Sequence, residues 1–178
     1  CKDRVLEHTK KITAASQHLL SLINDILDMS KIESGKTSLV LEEFSLAKVI
    51  DECSIILHPQ VQAKHQELLM DVQDILHENI IGDKLKLNQI MLNLLSNAVK
   101  YTPNGGQISL LVKEIPKKSH AISEFQFVIK DTGIGMTPEF LENVFEPFAR
   151  ATDGRIDKIQ GTGLGMTITK NLVDLMGG

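Results

Sequence analysis

The chain is short of almost everything that would staple it, anchor it or give it a strong charge. Its two cysteines, Cys1 and Cys53, form no disulfide framework and have no metal-ligand spacing, so a reducing, cytosolic (cytoplasmic) setting is expected. Aromatic side chains make up only 4 % of it, which leaves no platform on which bases could stack. A formal net charge of −4 supplies no basic footprint, and DNA or RNA is excluded as an expected partner. No run approaches the roughly 18 consecutive apolar residues of a membrane span, so membrane attachment is expected only through segments outside this chain. No signal peptide opens the sequence, which begins without Met and reads as a piece of something longer. No GxxxxGK[ST] string occurs, which excludes a P-loop. Repeats and low-complexity tracts are also missing. What is there is core material: 42 % of the residues are apolar, and a chain of this length buries roughly 70 % of its unfolded surface.

The first stretch has a helical period. Val5, Ile12, Ala15, Leu19, Leu22, Ile23, Ile26, Met29 and Ile32 recur at three-and-four spacing, while Ser16, Asn24, Asp25, Asp28 and Lys31 take other faces. This predicts one long amphipathic helix over residues 3 to 33, ended by Gly35. Its stripe needs a partner, and a coiled dimer seam is the expected one, with packing inside the domain as the alternative.

From Thr37 the pattern changes. Leu39, Val40 and Leu41 read as a short strand, and Ser45 caps a helix from Leu46 to about Ala63 that Pro59 should bend or interrupt. Glu67 to Val72 reads as a strand. Asp83 caps a helix to Tyr101, stopped by the turn Pro103-Asn104-Gly105-Gly106. Gln107 to Glu114 and Phe125 to Lys130 read as antiparallel strands joined by a polar loop through Pro116 and Lys118. Helices and strands mix without strict βαβ alternation, which predicts an α+β sandwich of helices over a mixed sheet.

Three strings carry chemistry: NLLSNAVKYT at Asn93 to Thr102, DTGIGM at Asp131 to Met136 and GTGLGM at Gly161 to Met166. Glycine lets backbone N–H groups approach an anion closely, and a helix opening after the last string adds the positive end of its dipole. Asn93, Asn97 and Lys100 share one helix face. That face is either solvated surface or, beside the glycine strings, a set of groups for phosphate and Mg2+, which favours oxygen ligands and keeps water. Asp131 is either a turn former or an acceptor for the exocyclic amine of adenine. Neither string is a dinucleotide fingerprint, since DTGIGM lacks the third glycine and too few residues follow Gly161 for the acidic residue expected about 20 later. Phe145 and Phe148 are either core or anchors of a moving segment. Ala149 to Gln160 is polar and contains Gly154, so it should order on nucleotide. Arg150, Arg155 and Lys158 are solvated charges or phosphate contacts.

NQIMLNLLSNAVKYT, DTGIGM, FEPFAR and GTGLGM, in this order, resemble the N, G1, F and G2 boxes of sensor histidine kinases. Upstream, HLLSLINDILDMSKIESGK resembles the second helix of their dimerisation and phosphotransfer domain, particularly in hybrid kinases. The resemblance implies a Bergerat ATP-binding fold over residues 37–178, whose C-terminal strands are absent, preceded by that second helix over residues 1–36. Asn97 would ligate Mg2+, Asn93 and Lys100 would approach the phosphates, and Asp131 would contact adenine. Gly133 and Gly135 would shape the adenine pocket, and Tyr101 would line the nucleotide. Phe145 and Phe148 would anchor an ATP lid. Gly161, Thr162, Gly163, Leu164 and Gly165 would lead the far end of that lid into a phosphate-facing helix at about Leu164 to Leu175. The implied activity is transfer of the ATP γ-phosphate to a histidine and then to an aspartate of a response-regulator receiver domain, in a homodimer joined through the first helix.

The family's phosphoacceptor motif is absent. His8, His18, His58, His65, His77 and His120 all lack its following residues, and they read as surface or packing groups, with the acceptor expected upstream of Cys1. Related gyrase and heat-shock chaperone ATPases place a glutamate where this chain has Asn93, which cannot activate water. The alternatives are a degenerate nucleotide-sensing or dimerisation module and an ATPase or chaperone of the same superfamily.

Overall fold

The computed structural model describes residues 2–35, 37–115, 122–150 and 161–178. Cys1, the loop residues Pro116 and Lys118, His120, and Gly154, Arg155, Lys158 and Gln160 lie outside the described residues. The elements follow as α1 (Lys2–Glu33), β1 (Glu42–Ser45), α2 (Leu46–Ala63), β2 (Glu67–Gln73), β3 (Asn79–Gly82), α3 (Lys84–Tyr101), β4 (Gln107–Ile115), β5 (Glu124–Asp131), α4 (Pro138–Glu142) and α5 (Gly165–Leu175). β1 and β3 form a small antiparallel ribbon. The larger sheet has the order β2-β4-β5, with β2 and β4 parallel and β4 and β5 antiparallel. Helices therefore lie over a mixed sheet, the α+β arrangement expected from the sequence.

Alternation on β4 decides where the core sits. Ile108, Leu110, Val112 and Glu114 are buried while their neighbours are not, because successive strand residues point to opposite faces. Val49, Cys53 and Leu57 of α2 and Met91, Leu95 and Val99 of α3 join Ile108, Leu110 and Val112 in one apolar cluster. A smaller cluster holds Ile90, Leu164, Ile168 and Leu172, and Met29 and Ile32 from the end of α1 pack against it. Leu22 is half-buried, and the rest of the α1 stripe is exposed, from 66 % at Ile12 to 45 % at Ile23. Gln89 Nε2 donates to Asp28 Oδ2 at 2.8 Å and fastens α1 to α3. Gly35, at φ +64°, ends α1 as expected.

One expectation needs correction. The strand expected at Leu39 to Leu41 lies instead at Glu42–Ser45, where β3 supplies a partner in register from Glu42↔Gly82 to Ser45↔Asn79. Upstream, the Val40 N–H is taken by Asp83 Oδ2 at 2.9 Å, and Val40 and Leu41 are exposed. α2 runs to Ala63 with Pro59 inside it, the span expected from the sequence. Pro59 and Ile55, whose carbonyl loses its helical donor to the proline ring, are both exposed, so water can serve that oxygen. β3 and α4 were not anticipated, although Thr137 before Pro138 is a capping signal, and its side chain accepts from the Phe140 N–H.

Cys53 is a buried free thiol that donates to Asn88 Oδ1 at 3.1 Å. Burial, with help from Glu52, pushes its pKa up to about 11, which makes it a packing group and not a nucleophile.

Buried Asp83 has two acceptor roles: Oδ1 caps α3 at the Lys86 N–H (2.9 Å) and Oδ2 holds Val40. Asp83→Ala should therefore cost about 1–2 kcal/mol in denaturant unfolding, the upper range for a lost N-cap. A second carboxylate ties the loop before β3 to the sheet. Buried Glu114 accepts from the N–H groups of Leu76 (2.8 Å) and His77 (2.9 Å) and lies 2.6 Å from His77 Nδ1. The His77 side chain, then the backbone N–H groups and Ser123, overcome burial and hold its pKa at about 2, below the ordinary 4.5. The contribution of Glu114 to stability is thus complete above pH 4.5 and lost as pH falls toward about 2. Glu114→Gln should flatten the unfolding free energy against pH in that window, as read by denaturant melts at stepped pH.

Candidate functional site

The polar face of α3, the loop after β5 and the start of α5 enclose a cavity of about 1010 Å³. Asn93, Asn97, Lys100 and Tyr101 line it from α3, and Asp131 and Gly135 from the β5 loop. Gly161, Thr162, Gly163 and Gly165 line it from the second glycine string. Leu164, Gly133, Phe145 and Phe148 do not line it. Leu164 is buried at 1 % exposure as part of the smaller core.

Asn93, Asn97 and Lys100 share a face because they are spaced four and three apart, and the opposite face, with Leu95 and Val99, is buried. The two asparagines differ in their surroundings. Asn93 Nδ2 donates to Gly165 O and Thr169 Oγ1, both at 3.4 Å, and so bridges α3 to the first turn of α5. Asn97 has no side-chain hydrogen bond among the described residues, which leaves its carboxamide oxygen open to the cavity. Lys100 Nζ lies 4.8 Å from the centre of the Tyr101 ring, a cation–π contact, and would be 2.5 Å from a Cβ on Gly161. A cation therefore spans from α3 to the glycine string.

The glycines are required for different reasons. Gly163 has φ +74°, and a Cβ there would lie 2.8–3.0 Å from the Phe148 backbone. Its carbonyl accepts the Phe148 N–H at 3.0 Å. The chain thus leaves toward and returns from the 151–160 stretch at one backbone clasp, with Phe148 itself at φ +64°. The Phe148 ring is 62 % exposed, so this residue is held by its backbone. Phe145 is 44 % exposed, with Lys170 Nζ of α5 5.6 Å from its ring centre. Gly133 is hemmed in, since a Cβ would meet Asp131 Oδ1 at 2.5 Å and Tyr101 O at 2.8 Å. α5 opens at Leu164 with no side-chain cap and no acidic residue in its first turn, so its leading N–H groups have no side-chain anion to compete with a ligand.

Asp131 takes the turn-forming one of its two sequence readings. Oδ1 accepts the Gly133 N–H at 2.8 Å, the turn-forming role, while the carboxylate is exposed at the cavity edge and Oδ2 has no partner among the described residues. The apolar groups beside it, Ile129, Ile134 and Met136, form a wall fit for a flat ring. Arg150 lines the cavity, as one of its sequence readings allowed.

Some residues around the cavity escaped the sequence reading. Asp25 of α1 and Phe140 of α4 line it, as does Lys64 at the end of α2. The Lys64 ammonium and the Gln66 amide both reach the end of α3. No local motif marks such residues, because their targets are backbone carbonyls more than 30 residues away in the chain. Of the histidines, His8, His58 and His65 are exposed and His77 braces Glu114. None adjoins the cavity among the described residues.

The family described as "Histidine kinase-, DNA gyrase B-, and HSP90-like ATPase" matches residues 82–178. The chain belongs to this family. It is 39 % identical over 94 % of its length to hybrid signal transduction histidine kinase B of Dictyostelium discoideum. It is 38 % identical, again over 94 %, to the sensory/regulatory protein RpfC of Xanthomonas campestris pv. campestris. The chain spans 8 % and 23 % of the length of these two relatives. Full-length ShkA in complex with AMPPNP superposes with a TM-score of 0.76 at 28 % identity, over 92 % of this chain and 32 % of that one. Histidine kinase ThkA in complex with response regulator TrrA shares the fold at 19 % identity and a TM-score of 0.66, over 94 % of this chain and 43 % of that one. The ATP-binding ATPase domain of histidine kinases is thereby the family setting of the cavity.

In this family setting the two glycines of GTGLGM should respond differently to alanine. Gly161→Ala meets only the end of the Lys100 side chain, which can swing away. Gly163→Ala meets backbone at a positive φ and should cost at least about 1 kcal/mol more in denaturant unfolding.

Proposed function

We propose that this chain is the ATP-binding catalytic part of a hybrid-type sensor histidine kinase. It would hold Mg-ATP and present the γ-phosphate to a histidine outside these 178 residues, from which the phosphate passes to an aspartate of a receiver domain. The observation that carries this reading is convergence: the polar face of α3, both glycine strings and the uncapped start of α5 share one cavity. A phosphoryl group needs in-line positioning and charge neutralisation more than covalent help. Lys100 and the α5 N–H groups supply positive charge, and Thr162, Gly163 and Gly165 give close backbone approach. Asp131, Gly133 and Gly135 form the base end, where a carboxylate oxygen takes the adenine amine. Tyr101 lies along the nucleotide.

Asn97 fits Mg2+ better than Asn93 does. Its whole carboxamide is uncommitted and can turn its oxygen to a metal, while Asn93 is held in place by the donations of its Nδ2 to α5, and Mg2+ accepts one protein oxygen together with phosphate oxygens and water. When bound, Mg2+ neutralises phosphate charge. Asn93 approaches the phosphates but offers no base for hydrolysis, which favours transfer to protein over water attack. Phe145 and Phe148 hold the stem of the lid segment, and residues 37–178 act as the ATP unit. Residues 1–36 are the dimerisation helix, consistent with the exposed stripe on α1. A receiver domain as partner agrees with the ThkA pair named above. No described helix is long and apolar enough to cross a membrane, and a cytoplasmic location follows from the need for ATP.

Calorimetric titration with ATP, with and without Mg2+, tests the reading. We expect Mg-sensitive binding, abolished in Asp131→Asn, which removes the carboxylate at the base end. Asn97→Ala should weaken binding only in the presence of Mg2+, with an unchanged unfolding midpoint. Equal Mg-ATP affinity in wild type and Asn97→Ala would eliminate the metal assignment, and a wild-type chain blind to ATP would eliminate the function.

A further inference from the structure

Lys64 closes α2 as its C-cap residue, and its side chain crosses to the far end of α3. Nζ donates to the carbonyls of Val99 (2.8 Å), Lys100 (2.8 Å) and Thr102 (3.0 Å). The three N–H groups of an ammonium are thereby matched to three backbone oxygens, and no carboxylate pairs with it among the described residues. Its own carbonyl accepts the Gly105 N–H at 3.0 Å. Gln66, buried two residues later, adds amide bonds to Val99 O (3.0 Å) and Thr102 O (2.7 Å). The last carbonyls of a helix lack helical donors and carry the negative end of its dipole, so a cation is favoured there.

What distinguishes this cap is what the capped turn carries. Lys100 and Tyr101 both leave it toward the cavity. Tyr101 O accepts the Ile134 N–H at 3.3 Å and faces Gly133 across the tight approach described above. Displacing the turn would move the cation near Gly161, the aromatic ring and the loop after Asp131 together. We propose that Lys64 is a positioning residue for the nucleotide: a tethered cation that fixes the last turn of α3, and through it both walls of the site. The proposal rests on the ATP-binding reading above.

The composition supplies a direct probe. Tyr101 is the chain's single tyrosine and there is no tryptophan, so intrinsic fluorescence reports this turn alone. Lys64→Met is expected to raise acrylamide quenching of that emission without nucleotide and to weaken ATP binding about tenfold, the scale of one lost charge-assisted anchor. Lys48→Met, on an exposed position of the same helix, should change neither. Unchanged ATP affinity in Lys64→Met would overturn the proposal. Weaker affinity with wild-type quenching would overturn it too, by pointing to direct contact between Lys64 and ATP, and so would an equal effect in Lys48→Met, by pointing to net charge. Should Lys64→Met fail to fold, Lys64→Arg decides, because a planar guanidinium cannot bring one nitrogen to three converging carbonyls. Raised quenching with weaker binding there supports the proposal, and wild-type values overturn it. If the wild-type chain does not bind ATP, the functional reading fails, while quenching without nucleotide still reports whether Lys64 holds the turn.

Discussion

The rotation of α3 about its own axis is the constraint on which the site depends. Leu95 and Val99 are fully buried in the cluster that contains Leu110 and Val112 of β4, and burying side chains of that size favours folding by about 1.5–3 kcal/mol each. A helix that must turn those residues to the sheet has no freedom left for its other side. Asn93, Asn97 and Lys100 therefore point away from the sheet because of what is buried behind them. The core aims the site, and a change of helix register by one residue would turn the polar face by about 100°.

The second constraint is close approach. Around Gly133, Gly161 and Gly163 the space that a Cβ would fill is occupied by Tyr101 O, Lys100 Nζ and the Phe148 backbone respectively. These glycines let the polar face of α3, the β5 loop and the start of α5 come within contact distance of each other. Gly135 serves differently, since nothing crowds it and only its φ of +68° calls for glycine. The strings thus combine two separate demands, contact and backbone sign, and the cavity needs both.

Much of this was legible because its signals are local. Ser45 and Asp83 mark the starts of α2 and α3, and their side chains accept the N–H groups of Lys48 and Lys86. The alternation in Gln107 to Glu114 reads directly as a strand with one buried face. Signals that depend on a distant partner were not legible. The β1 position is set by β3, which at four residues, NIIG, has no period of its own. In the site, the glycines, asparagines and Asp131 could be chosen from their strings. The difference between Asn93 and Asn97 could not, because it arises from Thr169 and Gly165 across the helix interface. The same holds for Lys64, whose acceptors are main-chain oxygens and leave no trace in residue types.

The smaller core links the ends of the molecule. Leu164 sits inside the glycine string that borders the cavity and is buried against Ile90, Ile168 and Leu172, with Met29 and Ile32 of α1 packed on the same cluster. Packed interiors resist small displacements because nearly every apolar contact is already made. The end of α1 and the start of α5 therefore cannot shift independently: moving α1 would uncover part of the cluster or draw Leu164 with it. Leu164 is flanked by Gly163 and Gly165, and Gly165 O receives the Asn93 amide. The path from the exposed stripe of α1 to the α5 side of the cavity thus runs through apolar packing and ends in one side-chain amide.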